Sequence, residues 1–245
     1  MSTSATLPPK PTVFHGRDEL VSDLVRQLIA HPSASLAVLG SGGMGKTSVA
    51  IALLHHHGTI AQYDSRRYFL SCEALIDVDS MVISLAKLLD IPASSDLLTA
   101  VVIHMNSSSH SILLLDNLES VWLRDGAPVP SVDDLLGRLA QIPSLSLVVT
   151  CRGTELPQSV QWANADTAIL EPFSVEAALR TFEDKARQLT DDEKMIAIQL
   201  LNAVDRMPLA VSLLGQLARR GNSVSQLLVR WKRERTSLLR AYGTG

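Results

Sequence analysis

Residues 35–50 read SLAVLGSGGMGKTSVA. A short apolar run, Leu36-Ala37-Val38-Leu39, ends in Gly40-Ser41-Gly42-Gly43-Met44-Gly45-Lys46-Thr47, which matches G-x-x-x-x-G-K-[ST] at every fixed position. The run before the glycines is strand-like and the run after them is helix-like, the context that separates a phosphate loop from an ordinary glycine turn. Without a Cβ, the glycines take φ > 0 and turn successive N–H groups inward, making a concave nest for phosphate oxygens. A helix starting near Lys46 adds its positive N-terminal end. In this motif the lysine, Lys46, reaches the β- and γ-phosphates, and the Thr47 hydroxyl ligates Mg²⁺.

A second landmark lies downstream. Ser111-Ile112-Leu113-Leu114-Leu115-Asp116 has four consecutive apolar residues, as suits a central parallel strand buried on both faces. Asp116 falls at the C-terminal end of that strand, where ligands bind in open α/β sheets, and its carboxylate is expected to hold Mg²⁺ through water. Many NTPases with an additional central strand place a second acid straight after the first, to polarise the attacking water. Here that position is Asn117, which cannot accept a proton, and Glu119 is the nearest replacement. Either Glu119 acts from a bent strand end or hydrolysis is slow. The next strand, 145–150, runs into Thr150-Cys151-Arg152-Gly153, and an arginine at that tip can report whether a γ-phosphate is present. With 67–72 as the second strand and a short one over 167–170, the expectation is α/β: a P-loop fold with a five-stranded parallel sheet.

Composition agrees with such a fold. The chain has 245 residues, 46% apolar and 19% charged, enough for an ample core and too apolar for disorder. A net charge of −3 gives no electrostatic case for nucleic acid as a main partner. No apolar run approaches the ~20 residues of a membrane span, and the start, MSTSATLPPKP, lacks a signal-peptide core, so a cytoplasmic location is expected. Cys72 and Cys151 read as buried thiols outside any C-x-x-C pair. His55-His56-His57 point in different directions on a helix and read as its solvated end, with Gly58 as the stop.

Residues 1–12 read as a proline-rich linker. Val13-Phe14-His15-Gly16-Arg17-Asp18-Glu19 then leads into an amphipathic helix with Leu20, Leu24 and Leu28 on one stripe, capped by Asp18 and ended by His31-Pro32. The loop 126–130 precedes a helix carrying Leu135, Leu136 and Leu139. After Phe173 the periodicity is helical only: Ser174 and Thr190 are N-cap candidates, and Met207-Pro208-Leu209-Ala210 opens a helix with proline in its first turn. The expected division is therefore a lead-in over 1–12, a nucleotide-binding domain over 13–172, and a small all-α domain over 173–245.

Taken in order, FHGRDEL, GSGGMGKT, ILLLDNLE, VVTCRG and MPLA resemble the NB-ARC branch of the STAND NTPases over about residues 11–240. That family includes apoptotic protease-activating factors and plant disease-resistance proteins, and the DN-x-E ending is similar to fungal members. The resemblance implies that Pro11, Phe14, His15 and Arg17 lie against adenine, and that Gly43, Gly45, Lys46, Thr47 and Ser48 hold phosphates and Mg²⁺. It implies Arg152 as sensor and Pro208 as a second adenine contact, with Arg206 standing where the family usually has glycine. The catalytic set is then Lys46, Asp116, Glu119 and Arg152, and the metal set Thr47 and Asp116. The implied function is a slow, regulatory ATPase: an ATP- or ADP-binding signalling switch with Mg²⁺, in innate-immunity-like or cell-death signalling. Its partners would be other domains of a longer protein and further copies of itself. The chain ends where the family enters a winged-helix domain, so an excised core or a minimal member is expected. An AAA+-like motor acting on protein or DNA, and a small-molecule kinase, are the competing readings.

Overall fold

The computed structural model describes residues 7–107, 109–123, 131–163, 169–235 and 238. The loop expected over 126–130 and the last residues of the chain lie outside the described set. The chain divides into two compact units. The first comprises 1–10, 20–41 and 46–170; the second comprises 11–19, 42–45 and 171–245.

In the first unit, four strands form one parallel sheet in the order β1-β4-β3-β2, where β1 is Ser35–Leu39, β2 Arg67–Ser71, β3 Ser111–Asp116 and β4 Leu145–Cys151. β3 and β4 are the inner strands, and every residue of both is buried, as their mainly apolar sequences suit strands covered on both faces. Each of Leu113, Leu114 and Leu115 is fully enclosed, contributing about 1.5–3 kcal/mol by burial. The register sets Leu115 beside Val149 on one side, while Ser71 pairs with Asp116 on the other. The ends of β2, β3 and β4 therefore come level at one rim.

Among the described residues no fifth strand forms where one is expected over 167–170, and the sheet has four. Ile169 makes only an isolated parallel bridge to Leu39, with the Leu170 N–H donating to the Leu39 carbonyl at 2.8 Å, and 167–168 lie outside the described residues. Glu171-Pro172 follows at once, and proline has no N–H with which to continue a ladder.

Helix α1 (Asp18–Ala30) precedes β1, and α2 (Lys46–Leu54), α3 (His57–Tyr63), α4 (Val78–Leu88), α5 (Leu97–Ser107), α6 (Glu119–Trp122) and α7 (Val132–Ala140) connect the strands. Asp18 is the first residue of α1, where its charge suits the helix's positive end, and not the residue before it. Gly58 does not stop a helix. It lies in the first turn of α3, where a Cβ would come within 2.9 Å of Val25 on α1. The break falls earlier, at His55-His56: the His56 Nδ1 accepts the Gly58 N–H as a cap, and His55 Nε2 bonds the Pro8 carbonyl at 2.8 Å. A buried chain of hydroxyls ties α3 to the sheet, with Tyr63 Oη 2.8 Å from Ser146 Oγ, which donates to the Pro32 carbonyl.

The second unit contains α8 (Val175–Lys185), α9 (Asp191–Ala203), α10 (Pro208–Arg219) and α11 (Val224–Glu234). Ser174, Thr190 and Ser223 cap α8, α9 and α11, the last two in reciprocal capping boxes with Glu193 and Gln226. Phe182, Leu200, Leu214 and Trp231 form the centre of its core. The turn before α10 holds Asp205 and Arg206 both at φ 51. That left-handed pair explains why glycine suits the second position, and Arg206 offsets its strain with bonds from Nε to the Phe173 carbonyl and from Nη1 to Asn202.

Candidate nucleotide-binding site

The site of the first unit is assembled at the rim where β1, β3 and β4 end. Gly40 there takes φ 145, and Gly43 and Gly45, which fall in the second unit, take φ of 80 and 86, conformations a side chain would oppose. A Cβ on Gly45 would meet no atom within 4 Å, so that glycine faces open space. Lys46 begins α2 and is only 6% exposed. Its Nζ donates to the Gly40 carbonyl at 2.8 Å and to the Ser41 carbonyl at 3.1 Å, so the loop's own backbone oxygens hold the ammonium. Burial is the main cause that pushes Lys46 below its usual pKa; the nearby Glu119 carboxylate opposes this.

Thr47 Oγ1 lies 3.0 and 2.9 Å from the two carboxylate oxygens of Asp116, the pair of groups expected to share a divalent cation. Ser48 follows in the first turn of α2, half-buried. Beyond Asp116 the backbone turns left-handed at Asn117, φ 56, and Glu119 opens α6 instead of ending a bent strand. The Glu119 side chain is 11% exposed; its Oε1 pairs with Arg152 Nε at 3.1 Å, and its Oε2 is buried with no partner among the described residues. Arg152 is otherwise open, at 65% exposure. Lys46, Thr47, Asp116, Glu119 and Arg152 thus lie near one another. Thr150, which the reading passed over, is there as well: its hydroxyl donates to Asp116 Oδ1 at 2.7 Å. Cys72 and Cys151 flank the same rim, buried, with their thiols pushed up to about 12 chiefly by desolvation, which leaves them inert.

Pro11, Phe14, His15, Arg17 and Pro208 belong to the second unit. Arg17 lies over the Phe173 ring at 5.5 Å, donates from Nη2 to the Glu171 carbonyl, and has a buried Nε without a partner among the described residues. His15 Nε2 pairs with Asp184 at 2.7 Å. His15 and Gly16 line a cavity of about 310 Å³ with Ala177 and Arg180. Pro11 and Phe14 are half-exposed. Pro208 is buried at the first position of α10, while Leu209 beside it is exposed and donates its N–H to the Gly43 carbonyl at 3.0 Å.

Among the described residues no group of three or more His, Cys, Asp and Glu side chains could hold a metal ion. No described helix is long and apolar enough to cross a membrane.

Comparison with solved structures shows a P-loop fold. The chain is similar to a Walker-type ATPase of Pyrococcus abyssi, at 17% identity and TM-score 0.67 over 98% of this chain and 78% of that one. It is also similar to a STAND protein with a tetratricopeptide-repeat sensor from Pyrococcus horikoshii, at 15% identity and TM-score 0.54 over 88% of this chain and 31% of that one. A third likeness is to Cdc6p of Pyrobaculum aerophilum, at 13% identity and TM-score 0.54, over 82% and 64% of the two chains. No curated protein matches the sequence significantly. The family model Novel STAND NTPase 1 matches residues 8–220, most of the chain's length. This protein therefore belongs to the Novel STAND NTPase 1 family and carries a STAND-type P-loop NTPase core.

Proposed function

We propose that the chain is the adenine-nucleotide-binding core of a signalling switch, holding ATP or ADP with Mg²⁺ and hydrolysing slowly. The observation that carries the reading is the convergence within the first unit of a buried Lys46, held by the Gly40 and Ser41 carbonyls, with Thr47 and Asp116. The donor set fits the ligand: an ammonium and backbone N–H groups for phosphate oxygens, a hydroxyl and a carboxylate for a hard cation. In this reading Gly43, Gly45, Lys46 and Ser48 hold phosphates, and Thr47 and Asp116 hold the cation, Asp116 through water. Arg152 exchanges its bond to Glu119 for one to the γ-phosphate, and Glu119 is then released to orient or deprotonate the attacking water. When bound, Mg²⁺ supplies charge neutralisation at the phosphates. Pro11, Phe14, His15, Arg17 and Pro208 are proposed as adenine contacts on the strength of the resemblance. Kinship with fungal-type NB-ARC proteins, oligomerisation on activation, a cytoplasmic setting and a role in innate-immunity-like or cell-death signalling belong to the same proposal.

The test is the nucleotide that co-purifies with the chain, released by denaturation and identified by chromatography. ADP or ATP is expected, roughly stoichiometric with protein, with Lys46→Ala weakening binding by about 10- to 100-fold through loss of a charge-assisted bond. No co-purified nucleotide, together with no binding of added Mg-ATP, overturns the reading. The motor alternative is favoured by one observation, the buried Glu119 Oε2 that has no partner among the described residues. It predicts rapid steady-state turnover that rises with protein concentration, which a switch lacks.

A further inference from the structure

Thr150 is fully buried at the end of β4, one residue before the strand leaves the sheet. Its hydroxyl is used in two directions. It donates to Asp116 Oδ1 at 2.7 Å and accepts the Asn117 N–H at 2.9 Å. The Thr150 carbonyl also accepts the Leu118 N–H at 3.0 Å. One residue on the neighbouring strand thus holds the expected metal-side carboxylate, the left-handed turn after it, and the start of the segment that delivers Glu119.

The Asp116 carboxylate makes this arrangement chemically specific. Thr47 Oγ1 lies within hydrogen-bond reach of both its oxygens, yet a hydroxyl has one proton to give, and it is the hydroxyl expected to turn to the cation. Thr150 has no such second task. We propose that Thr150 is a positioning residue for the cation site: by fixing Oδ1 it keeps Oδ2 of Asp116 directed toward Thr47, and by holding the Asn117 amide it sets where Glu119 begins. A residue that merely knits β3 to β4 would contribute to folding alone. A hydroxyl bonded to the carboxylate itself acts on metal affinity, as hydrogen-bond partners of metal-ligating groups generally do. This inference rests on the nucleotide-binding reading above.

The experiment is a titration of the full chain with a fluorescent, non-hydrolysable ATP analogue, in MgCl₂ and in EDTA; the ratio of the two affinities is the readout. Thr150→Val, which keeps the shape and removes the hydroxyl, is expected to lose about 10- to 100-fold of the Mg²⁺-dependent gain. Its affinity in EDTA should stay near that of the unmutated chain, and Thr150→Ser should restore the ratio. A ratio unchanged in Thr150→Val overturns the proposal, as does an equal fall in MgCl₂ and EDTA, or a serine variant that behaves like valine. If circular dichroism shows that Thr150→Val does not fold, Thr150→Ala is read in its place; if neither folds, the serine variant decides, since a lowered ratio with the hydroxyl retained overturns the assignment and an unmutated one supports it. An unmutated chain that binds the analogue equally with and without Mg²⁺ overturns the Thr150 assignment and leaves nucleotide binding standing. One that does not bind the analogue at all removes both.

Discussion

Replacing Gly16 by alanine should destabilise the second unit by an amount that can be split into two parts. Gly16 has φ 68, and a Cβ built there would lie 2.5 Å from the Cβ of Ala177, in the first turn of α8. The left-handed backbone costs a non-glycine residue about 1–2 kcal/mol. Forcing a methyl against a packed helix costs about 1–3 kcal/mol more, so Gly16→Ala should lose about 2–5 kcal/mol. Ala177→Gly alone should lose about 1 kcal/mol, the ordinary cost of glycine inside a helix. In the double variant the clash disappears and the strain remains, giving a coupling of about 1–3 kcal/mol. Urea unfolding measures this in a Trp122→Phe/Trp162→Phe background, where the buried Trp231 reports the second unit. A Gly16→Ala loss under about 0.5 kcal/mol would refute the geometry. A cycle that closes within about 0.5 kcal/mol would refute the contact with Ala177.

Glu119→Gln should lower hydrolysis by about 10²–10⁴-fold while nucleotide stays bound, as measured by phosphate release and equilibrium binding; unchanged hydrolysis removes Glu119 from the catalytic set. Arg206→Gly and Arg206→Ala both delete the bonds to Phe173 and Asn202, but only glycine relieves φ 51, so it should be about 1–2 kcal/mol the more stable of the two in thermal unfolding. The bonds from Arg187 and the Thr190 N–H hold the Glu193 carboxyl down to about 2, below its ordinary 4.5. Its contribution is therefore full above about 4.5 and lost as pH falls toward 2. Glu193→Gln should flatten the acid side of the stability profile without abolishing the α9 cap, since glutamine still accepts the Thr190 amide.

What could be read from the residues was decided by local chemistry. The glycine loop, the apolar run ending in Asp116 and the serine and threonine caps each declare themselves within a few positions, and the structure places them accordingly. The misreadings concern neighbours that are distant in sequence. Gly58 looked like a stop because glycine disfavours helix interiors, whereas the close approach of Val25 makes it the residue that fits. A fifth strand over 167–170 had the right composition, but among the described residues the pairing is one bridge at Ile169, ahead of Pro172. Thr150 carried no signal because its importance depends on β4 lying next to β3, and chain order does not announce the order β1-β4-β3-β2. The threonine one residue inside the strand end, opposite an aspartate, is recognisable once that adjacency is known.

The hold of the loop carbonyls on Lys46 has a consequence for rate as well as affinity. An ammonium at a protein surface keeps a tight water shell, and stripping that shell would slow capture of an anion. Here Gly40 and Ser41 have already replaced those waters. The dehydration cost thus falls on the folding of the chain, and in the proposed reading nucleotide arrival becomes an exchange of one set of oxygens for another. Such a loop is pre-dried and needs little rearrangement, so the slow event for an incoming nucleotide should be departure of the previous one.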